Sequence, residues 1–261
     1  MATSSRTTHT HAHSFNAAAA QYAANRPSYP PPLFDAIENI ATRPLAGSLA
    51  IDVGAGTGIA TTLLHQRGAH VLAVEPGDGM TTEFRRAHPH LPIIRGNGDA
   101  LPLATASADF ITYAQAWHWT DPARSLPEAM RVLRPGGALA LWWNTSAPDV
   151  PWIAAQYARI NAYIGGGPTS VRGSGRRART EEVFAGAPHH PDCTLRELRW
   201  SRTVPIDTHL ANIGSHSVFL VLGEEATHTF LAEERALLLA TFPNGMVEEV
   251  YDVVLIVVPR P

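Results

Sequence analysis

The stretch LAIDVGAGTGIA, Leu49 to Ala60, decides the fold. An apolar run, Leu49 to Val53, takes in one acid, Asp52, and gives way to three alternating glycines, Gly54, Gly56 and Gly58. Short apolar runs closed by a breaker form buried strands, and Ile59 to Arg67 beyond the glycines reads as a helix. A strand feeding a glycine turn into a helix brings bare backbone against a ligand, because glycine permits close approach and positive φ. A dinucleotide turn carries its third glycine five residues after the first. This chain has Ile59 there, and its third glycine comes one residue early.

An acid followed by G-x-G-x-G, as in Asp52-Val53-Gly54-Ala55-Gly56-Thr57-Gly58, resembles the class I S-adenosylmethionine (SAM) methyltransferases. SAM carries no phosphate, so by this resemblance the methionine portion lies along Gly54, Ala55, Gly56 and Gly58, and Asp52 suits its ammonium group. A second strand, His70 to Glu75, ends in the acid that binds ribose hydroxyls in this family. An NAD enzyme also places an acid there, so Glu75 points to a nucleoside without separating the two cofactors. Gly98-Asp99-Ala100-Leu101-Pro102-Leu103 follows a third strand, Ile93 to Arg95, and resembles the adenine-binding segment, with the Asp99 carboxylate and the Ala100 amide on the ring. Read alone, it is an Asp-initiated turn. The resemblance also sets Gln115 beside the cofactor.

A fourth strand, Ala108 to Ala114, a helix, Asp121 to Leu133, and a fifth strand, Ala138 to Asn144, complete the core. Arg134-Pro135-Gly136-Gly137 is the breaker between the last two. The expected architecture is a Rossmann-like, doubly wound α/β sheet, mostly parallel with an antiparallel last strand, plus a helical N-terminal segment and a lid-like insertion. The domain reading is a polar tail over 1–13, cap helices and SAM-binding core over 14–146, a lid and substrate insertion over 147–193, and C-terminal strands and helices over 194–261. Within these, Val150 to Ile164 reads as a helix, Leu195 to Pro205 as a strand, Asp207 to Ala240 as helical cover and Met246 to Pro259 as the last strand.

The segment from Phe15 to Pro30 reads as a helix stopped by prolines, and it is similar to the opening of a subgroup that includes trans-aconitate-like and natural-product methyltransferases. There the segment folds over the cofactor, which brings Tyr22 and Arg26 to the methionine end, Arg26 onto its carboxylate. Packing of Tyr22 and a local role for Arg26 stand as the equal alternative.

Composition narrows the chemistry. All 20 basic residues are arginine, so phosphate-loop NTPases, pyridoxal Schiff bases and Tyr-Lys dehydrogenation, which each need a lysine, are excluded. A net charge of −3 argues against a nucleic-acid surface. Cys193 is the one cysteine, which excludes an internal disulfide or thiolate cluster. No apolar run is long enough to span a membrane and no leader-like segment opens the chain, so a cytoplasmic monomer or homodimer is expected. His9, His11 and His13, and the pairs His88/His90 and His189/His190, read as solvated, and no metal is expected.

Methyl transfer is a direct displacement that needs alignment and, for a weak nucleophile, removal of a proton. Open α/β sheets bind ligands beyond the carboxyl ends of their strands. Gln115 to Trp119 and Trp142 to Asn144 reach that edge, so four of the six tryptophans, Trp117, Trp119, Trp142 and Trp143, fall there. Trp117, Trp119, Trp142 and Asn144 are the substrate candidates, with core packing as the competing reading for each indole. His118 is the candidate base. The expected reaction is methylation of an O or N atom on a small, aromatic or heteroaromatic molecule of specialised metabolism, releasing S-adenosylhomocysteine. Three alternatives stay open: an RNA or tRNA methyltransferase, at which only Arg176, Arg177 and Arg179 hint, a non-catalytic SAM-binding regulator, and an NAD-linked oxidoreductase, against which the glycine spacing and the absence of lysine stand.

Overall fold

The computed structural model describes residues 25–165 and 192–261. The tail over 1–13, Tyr22, the arginine cluster at Arg176, Arg177 and Arg179, and most of the insertion lie outside the described residues.

Seven strands form one sheet in the order β3-β2-β1-β4-β5-β7-β6. They are β1 (Leu49–Val53), β2 (His70–Glu75), β3 (Ile93–Arg95), β4 (Ala108–Ala114), β5 (Leu133–Ser146), β6 (Thr194–Pro205) and β7 (Met246–Pro259). β1 lies parallel between β2 and β4, with Val53 opposite Val74 and Asp52 opposite Thr112. Covered on both faces, its last four residues are all buried, which explains a strand with no polar alternation. β7 runs against β5: Arg260 at its end exchanges backbone hydrogen bonds with Gly136 and Gly137 at the start of β5. From β3 the chain crosses back over β2 and β1 to β4, so the strand order reverses at β1 and opens a crevice beyond the carboxyl ends of β1 and β4.

Helices α1 (Pro31–Ala41), α2 (Ile59–Gln66), α3 (Asp78–Ala87), α4 (Pro122–Val132), α5 (Pro151–Tyr163), α6 (Ile206–Gly214), α7 (Ser217–Leu222) and α8 (Glu224–Thr241) accompany the sheet. The prolines read as a stop also begin α1, where Pro31 occupies a first-turn position whose missing N–H has no intrahelical partner anyway. β5 begins at Leu133 rather than Ala138. Five steps along β5, from Leu133 to Ala138, span two along β4, from Ala108 to Phe110, so Arg134 to Gly137 bulge out of the ladder. Asp109 fixes that bulge: it accepts from the Leu49 amide at 2.9 Å, from Arg43 at 3.0 Å and from Arg134 at 2.9 Å. Burial alone would raise its pKa, but the Leu49 amide and the two guanidinium groups hold it below the ordinary value. Asp109→Ala is therefore expected to destabilise the protein by about 2–3 kcal/mol in urea unfolding at pH 7, the low end for a broken pair because both arginines reach water.

The contacts divide the described chain into two units. One comprises 28–144, 192–198 and 253–261, and its core includes Ile51, Val74, Ile111, Tyr113, Trp117 and Leu141. The other comprises 25–27, 145–165 and 199–252, with one cluster around Ile206, Leu210 and Val247 and a second around Ile160, Phe219 and Phe230. The cover expected over Asp207 to Ala240 is three helices, interrupted near Ser215 and again at Gly223, whose φ is +98°. Among the described residues no helix is long and apolar enough to cross a membrane.

Candidate active site

The turn after β1 is held from below and from both sides. Asp52 is fully buried at the end of β1, where Thr61 Oγ1 of α2 donates to one carboxylate oxygen at 2.6 Å and Thr112 Oγ1 of β4 to the other at 3.0 Å. Burial pushes its pKa up to about 6, the two hydroxyls oppose that rise, and the charge of Glu75 adds to it. The Gly54 and Ala55 amides both donate to the Val74 carbonyl of β2, at 2.8 and 3.2 Å.

Each glycine of the turn has positive φ: +68° at Gly54, +58° at Gly56 and +95° at Gly58. Their surroundings differ. A Cβ on Gly54 would lie 2.5 Å from the Cβ of Ala116, and one on Gly58 would lie 2.7 Å from the His88 ring and 2.9 Å from Phe84. A Cβ on Gly56 would meet nothing within 4 Å. The middle glycine therefore borders open space while the outer two are wedged against protein.

Glu75, at the end of β2, closes the turn. Its Oε2 accepts from the Gly56 amide at 2.9 Å and its Oε1 from the Gly77 amide at 2.8 Å. Burial raises its pKa, and the Gly56 and Gly77 amides and the Arg95 charge oppose that rise. A carboxylate oxygen has two acceptor positions, so one remains on each oxygen for a hydroxyl donor.

The Gly98-Asp99-Ala100 segment is a turn organised by Asn97, whose Oδ1 accepts from the Asp99 and Ala100 amides at 3.0 and 3.1 Å. Asp99 in turn accepts from the Asp121 amide at 2.9 Å, and Asp121 caps α4 through the Ala123 amide. The Ala100 N–H assigned to a ring edge by resemblance thus points at Asn97, and one Asp99 oxygen is taken by the start of α4.

Beyond β4, Gln115 is held at φ +58°, a left-handed conformation uncommon for a residue with a side chain and concentrated at functional sites. Its amide donates to the Trp142 carbonyl and its Nε2 to the Asn144 carbonyl, and Asn144 Nδ2 donates to the Ser28 carbonyl. The conformation swings the next residue, Ala116, against Gly54. Trp117, His118 and Trp119 then form a short 3-10 turn instead of extending the strand.

Here the aromatic expectation is corrected. Trp117 is buried edge-on against Tyr113 at 4.8 Å. Trp142 is 0% exposed, with its ring edge-on to Tyr29 at 5.6 Å and to Phe34 at 6.1 Å. Both indoles are core. Trp119 and His118 are half-buried, with ring centres 4.7 Å apart. Trp143 Nε1 donates to His118 Nδ1 at 3.4 Å, so the neutral imidazole carries its proton on Nε2. Arg26 belongs to the other unit, where it donates to the Ser215 carbonyl at 3.1 Å.

Sequence reasoning missed the groups that position these residues: Thr61 and Thr112 under Asp52, Asn97 under the second turn, and His88 behind Gly58. Thr112 offered a signal, being a small hydroxyl side chain between Ile111 and Tyr113 in the middle of a buried strand. Thr57 Oγ1, inside the glycine turn, is buried with no hydrogen-bond partner among the described residues. Two open lone pairs on Glu75, an orphan hydroxyl and a Cβ-free edge at Gly56 together fit a polyhydroxylated, non-phosphorylated ligand. No group of three His, Cys, Asp or Glu side chains among the described residues could hold a metal ion.

Residues 51–141 match the family described as a methyltransferase domain. An uncharacterised methyltransferase of Mycobacterium tuberculosis is 34% identical over 230 residues, covering 88% of this chain and 87% of that protein. A demethylmenaquinone methyltransferase of Beutenbergia cavernae is 32% identical over 119 residues, covering 45% of this chain and 49% of that one. Among solved structures, a candidate type II methyltransferase of Anaeromyxobacter dehalogenans superposes with a TM-score of 0.67 at 24% identity, covering 90% of this chain and 97% of that one.

Proposed function

Because this chain belongs to the class I SAM-dependent methyltransferases, we propose that it binds SAM along the turn Gly54 to Gly58 and methylates an O or N atom of a small aromatic or heteroaromatic molecule. The observation that carries the cofactor reading is Glu75, tied to the turn by the Gly56 amide yet retaining lone pairs at the carboxyl end of β2. SAM bound there supplies an electrophilic methyl group on a sulfonium. Gly54, Ala55, Gly56 and Gly58 give it backbone to lie along, and Glu75 accepts from the ribose. Asp99, Ala100 and Gln115 border the adenine and sulfonium ends by the family resemblance.

Asp52 acts in this reading through the turn. Both of its oxygens serve threonine hydroxyls, so it orients Gly54 and Gly56 as a positioning residue. On the acceptor side the candidates are His118, Trp119 and Asn144. A neutral His118 has its lone pair on Nδ1, where Trp143 donates. To take a proton from the acceptor, the ring must leave that indole; an acceptor that arrives as an anion needs no such movement and reacts by alignment alone. His118→Ala is expected to lower kcat on the order of 10²-fold with a neutral hydroxyl or amine acceptor and to leave it unchanged with a carboxylate. Undiminished turnover with both acceptors removes the base role. A place in specialised metabolism rests only on the resemblance of the segment from Phe15 to Pro30 to that subgroup, and the net charge of −3 favours a small molecule over RNA.

Calorimetric titration of the purified protein with SAM, S-adenosylhomocysteine and NADH tests the cofactor assignment. Saturable binding of the first two alone is expected. Binding of NADH alone would overturn it, and tight SAM binding without turnover over a broad acceptor panel would favour the regulator.

A further inference from the structure

The unit comprising 25–27, 145–165 and 199–252 contains a buried chain of polar groups that the methyl-transfer reading does not use. His209 of α6 lies between two partners: its Nδ1 is 2.7 Å from Glu249 Oε1 of β7, and its Nε2 is 3.0 Å from Gln156 Oε1 of α5. Gln156 Nε2 donates to Glu234 Oε1 of α8 at 3.1 Å. Glu234 is also gripped by Arg159, whose Nε and Nη2 lie 2.8 and 2.5 Å from its two oxygens. On the other side Arg202 of β6 donates through Nε to Glu249 Oε2 at 2.5 Å and through Nη2 to the Asn25 carbonyl at 3.2 Å. The Trp152 ring stands edge-on to the imidazole at 5.4 Å, and the Tyr251 hydroxyl lies beside Glu249 and Arg202. His209, Glu249, Gln156 and Glu234 are each at most 5% exposed.

The arrangement fixes where the protons are. Glu234 faces a bidentate arginine and is therefore a carboxylate, an acceptor only. The Gln156 group facing it must be the NH2, which leaves the amide oxygen facing His209. Glu249 faces Arg202 and is likewise a carboxylate. The imidazole thus meets an acceptor at each nitrogen, and only a ring with a proton on both satisfies the pair. A neutral ring would set a lone pair against an oxygen. Turning Gln156 over to meet it would set the amide oxygen against Glu234.

We infer that His209 is held as a doubly protonated imidazolium and serves as a pH-sensitive latch, joining α5, α6, α8, β6 and β7 and fastening the segment at Asn25 through Glu249 and Arg202. The same helix supports that segment a second time, because Arg26 donates to the carbonyl of Ser215, which follows α6. The sign follows from the partners. A histidine charged in the folded state contributes stability that is fully present at acid pH and is lost as rising pH removes the proton. Unlatching acts on all five elements together, since one lost proton leaves one buried acceptor facing another.

The test reads the proton first. In full-length protein with 15N-labelled histidines, the ring signal missing from His209→Gln is expected to show both nitrogens protonated at pH 7. The midpoint of thermal unfolding is expected to drop by about 2–4 °C as that ring deprotonates at higher pH, and His209→Gln should lack that drop. Should His209→Gln fail to fold, Glu249→Gln serves instead: it keeps an acceptor at Nδ1 but removes the charge, and the ring should release its proton at least about tenfold more readily. A neutral His209 ring at pH 7 overturns the inference. So does a protonated ring whose deprotonation leaves the unfolding midpoint unchanged, or an unaltered proton release in Glu249→Gln.

Discussion

Gly54→Ala is expected to weaken SAM binding at least about 100-fold and to destabilise the fold by about 3 kcal/mol, whereas Gly56→Ala, two residues on, should cost about 1 kcal/mol in stability. Both positions have positive φ, which penalises any L-residue by roughly 1–2 kcal/mol. They differ in what the new methyl meets. At Gly54 it would lie 2.5 Å from the Cβ of Ala116, and neither atom can rotate away, so backbone must move; overpacking of this kind adds about 1–3 kcal/mol. The movement displaces the amide that holds the turn to Val74, and about 3 kcal/mol of lost alignment corresponds to roughly two decades in affinity. At Gly56 the methyl enters open space, which is where the ligand is proposed to lie, so that variant should lose affinity while keeping most of its stability. The pair is separable by urea unfolding and calorimetry on the same samples. A further variant locates the cause: Gly54→Ala combined with Ala116→Gly removes the collision but not the backbone strain, and should recover about half of the lost stability. No recovery would show that Ala116 is not the obstacle.

The contact between Gly54 and Ala116 also shows what was legible in the sequence. Strands β1 to β4 and β7 were readable to the residue because each is dominated by apolar and β-branched residues with turn or proline residues at its ends, a signal that needs no partner. The glycine turn, Glu75 and Asp99 were readable as motifs. Their hydrogen-bond partners were not: Asp52 is held by threonines 9 and 60 residues away, and nothing local to Asp52 names them. Trp142 and Trp143 show the same limit on a smaller scale. Successive strand residues face opposite sides of a sheet, so one buried indole packs against Tyr29 and Phe34 while its neighbour, also buried, reaches His118, and the dipeptide alone does not say which is which. The missed helix α1 has a different cause. Proline stops a helix from within and starts one from its first turn, and Pro27 and Pro30 carry only the first property in a reading that ends just before Pro31. The charged chain through Arg202, Glu249, His209, Gln156 and Glu234 was invisible for a third reason, since its members come from five elements and each, seen singly, is an ordinary polar residue of a helix or strand.

Asp52→Asn is expected to flatten the pH dependence of stability between about pH 4 and pH 6 and to change SAM affinity at pH 7.5 by less than about threefold. An unfolded aspartate releases its proton near pH 4, whereas burial keeps that of Asp52 until about pH 6. Across this window the folded protein holds a proton that the unfolded chain has lost, so stability falls as pH rises. Two units correspond to about 3 kcal/mol. Other carboxylates contribute slopes of their own: Asp109 and Glu249, held below their ordinary values, stabilise the fold as pH rises. The difference between wild type and Asp52→Asn cancels those terms and isolates Asp52. Asparagine keeps an oxygen for one threonine hydroxyl and offers an N–H to the other, which can accept, so both anchors of the turn survive. A carboxylate that touched the SAM ammonium directly would behave differently, because its loss removes a charge-assisted hydrogen bond worth roughly 1.5–3 kcal/mol, about ten- to a hundredfold in affinity. Asp52→Ala, which leaves Thr61 and Thr112 without their acceptor, should weaken SAM binding by at least about tenfold under either arrangement. An intact Asn variant beside a damaged Ala variant therefore assigns Asp52 to the support of the turn, and equal damage in both assigns it to the ligand.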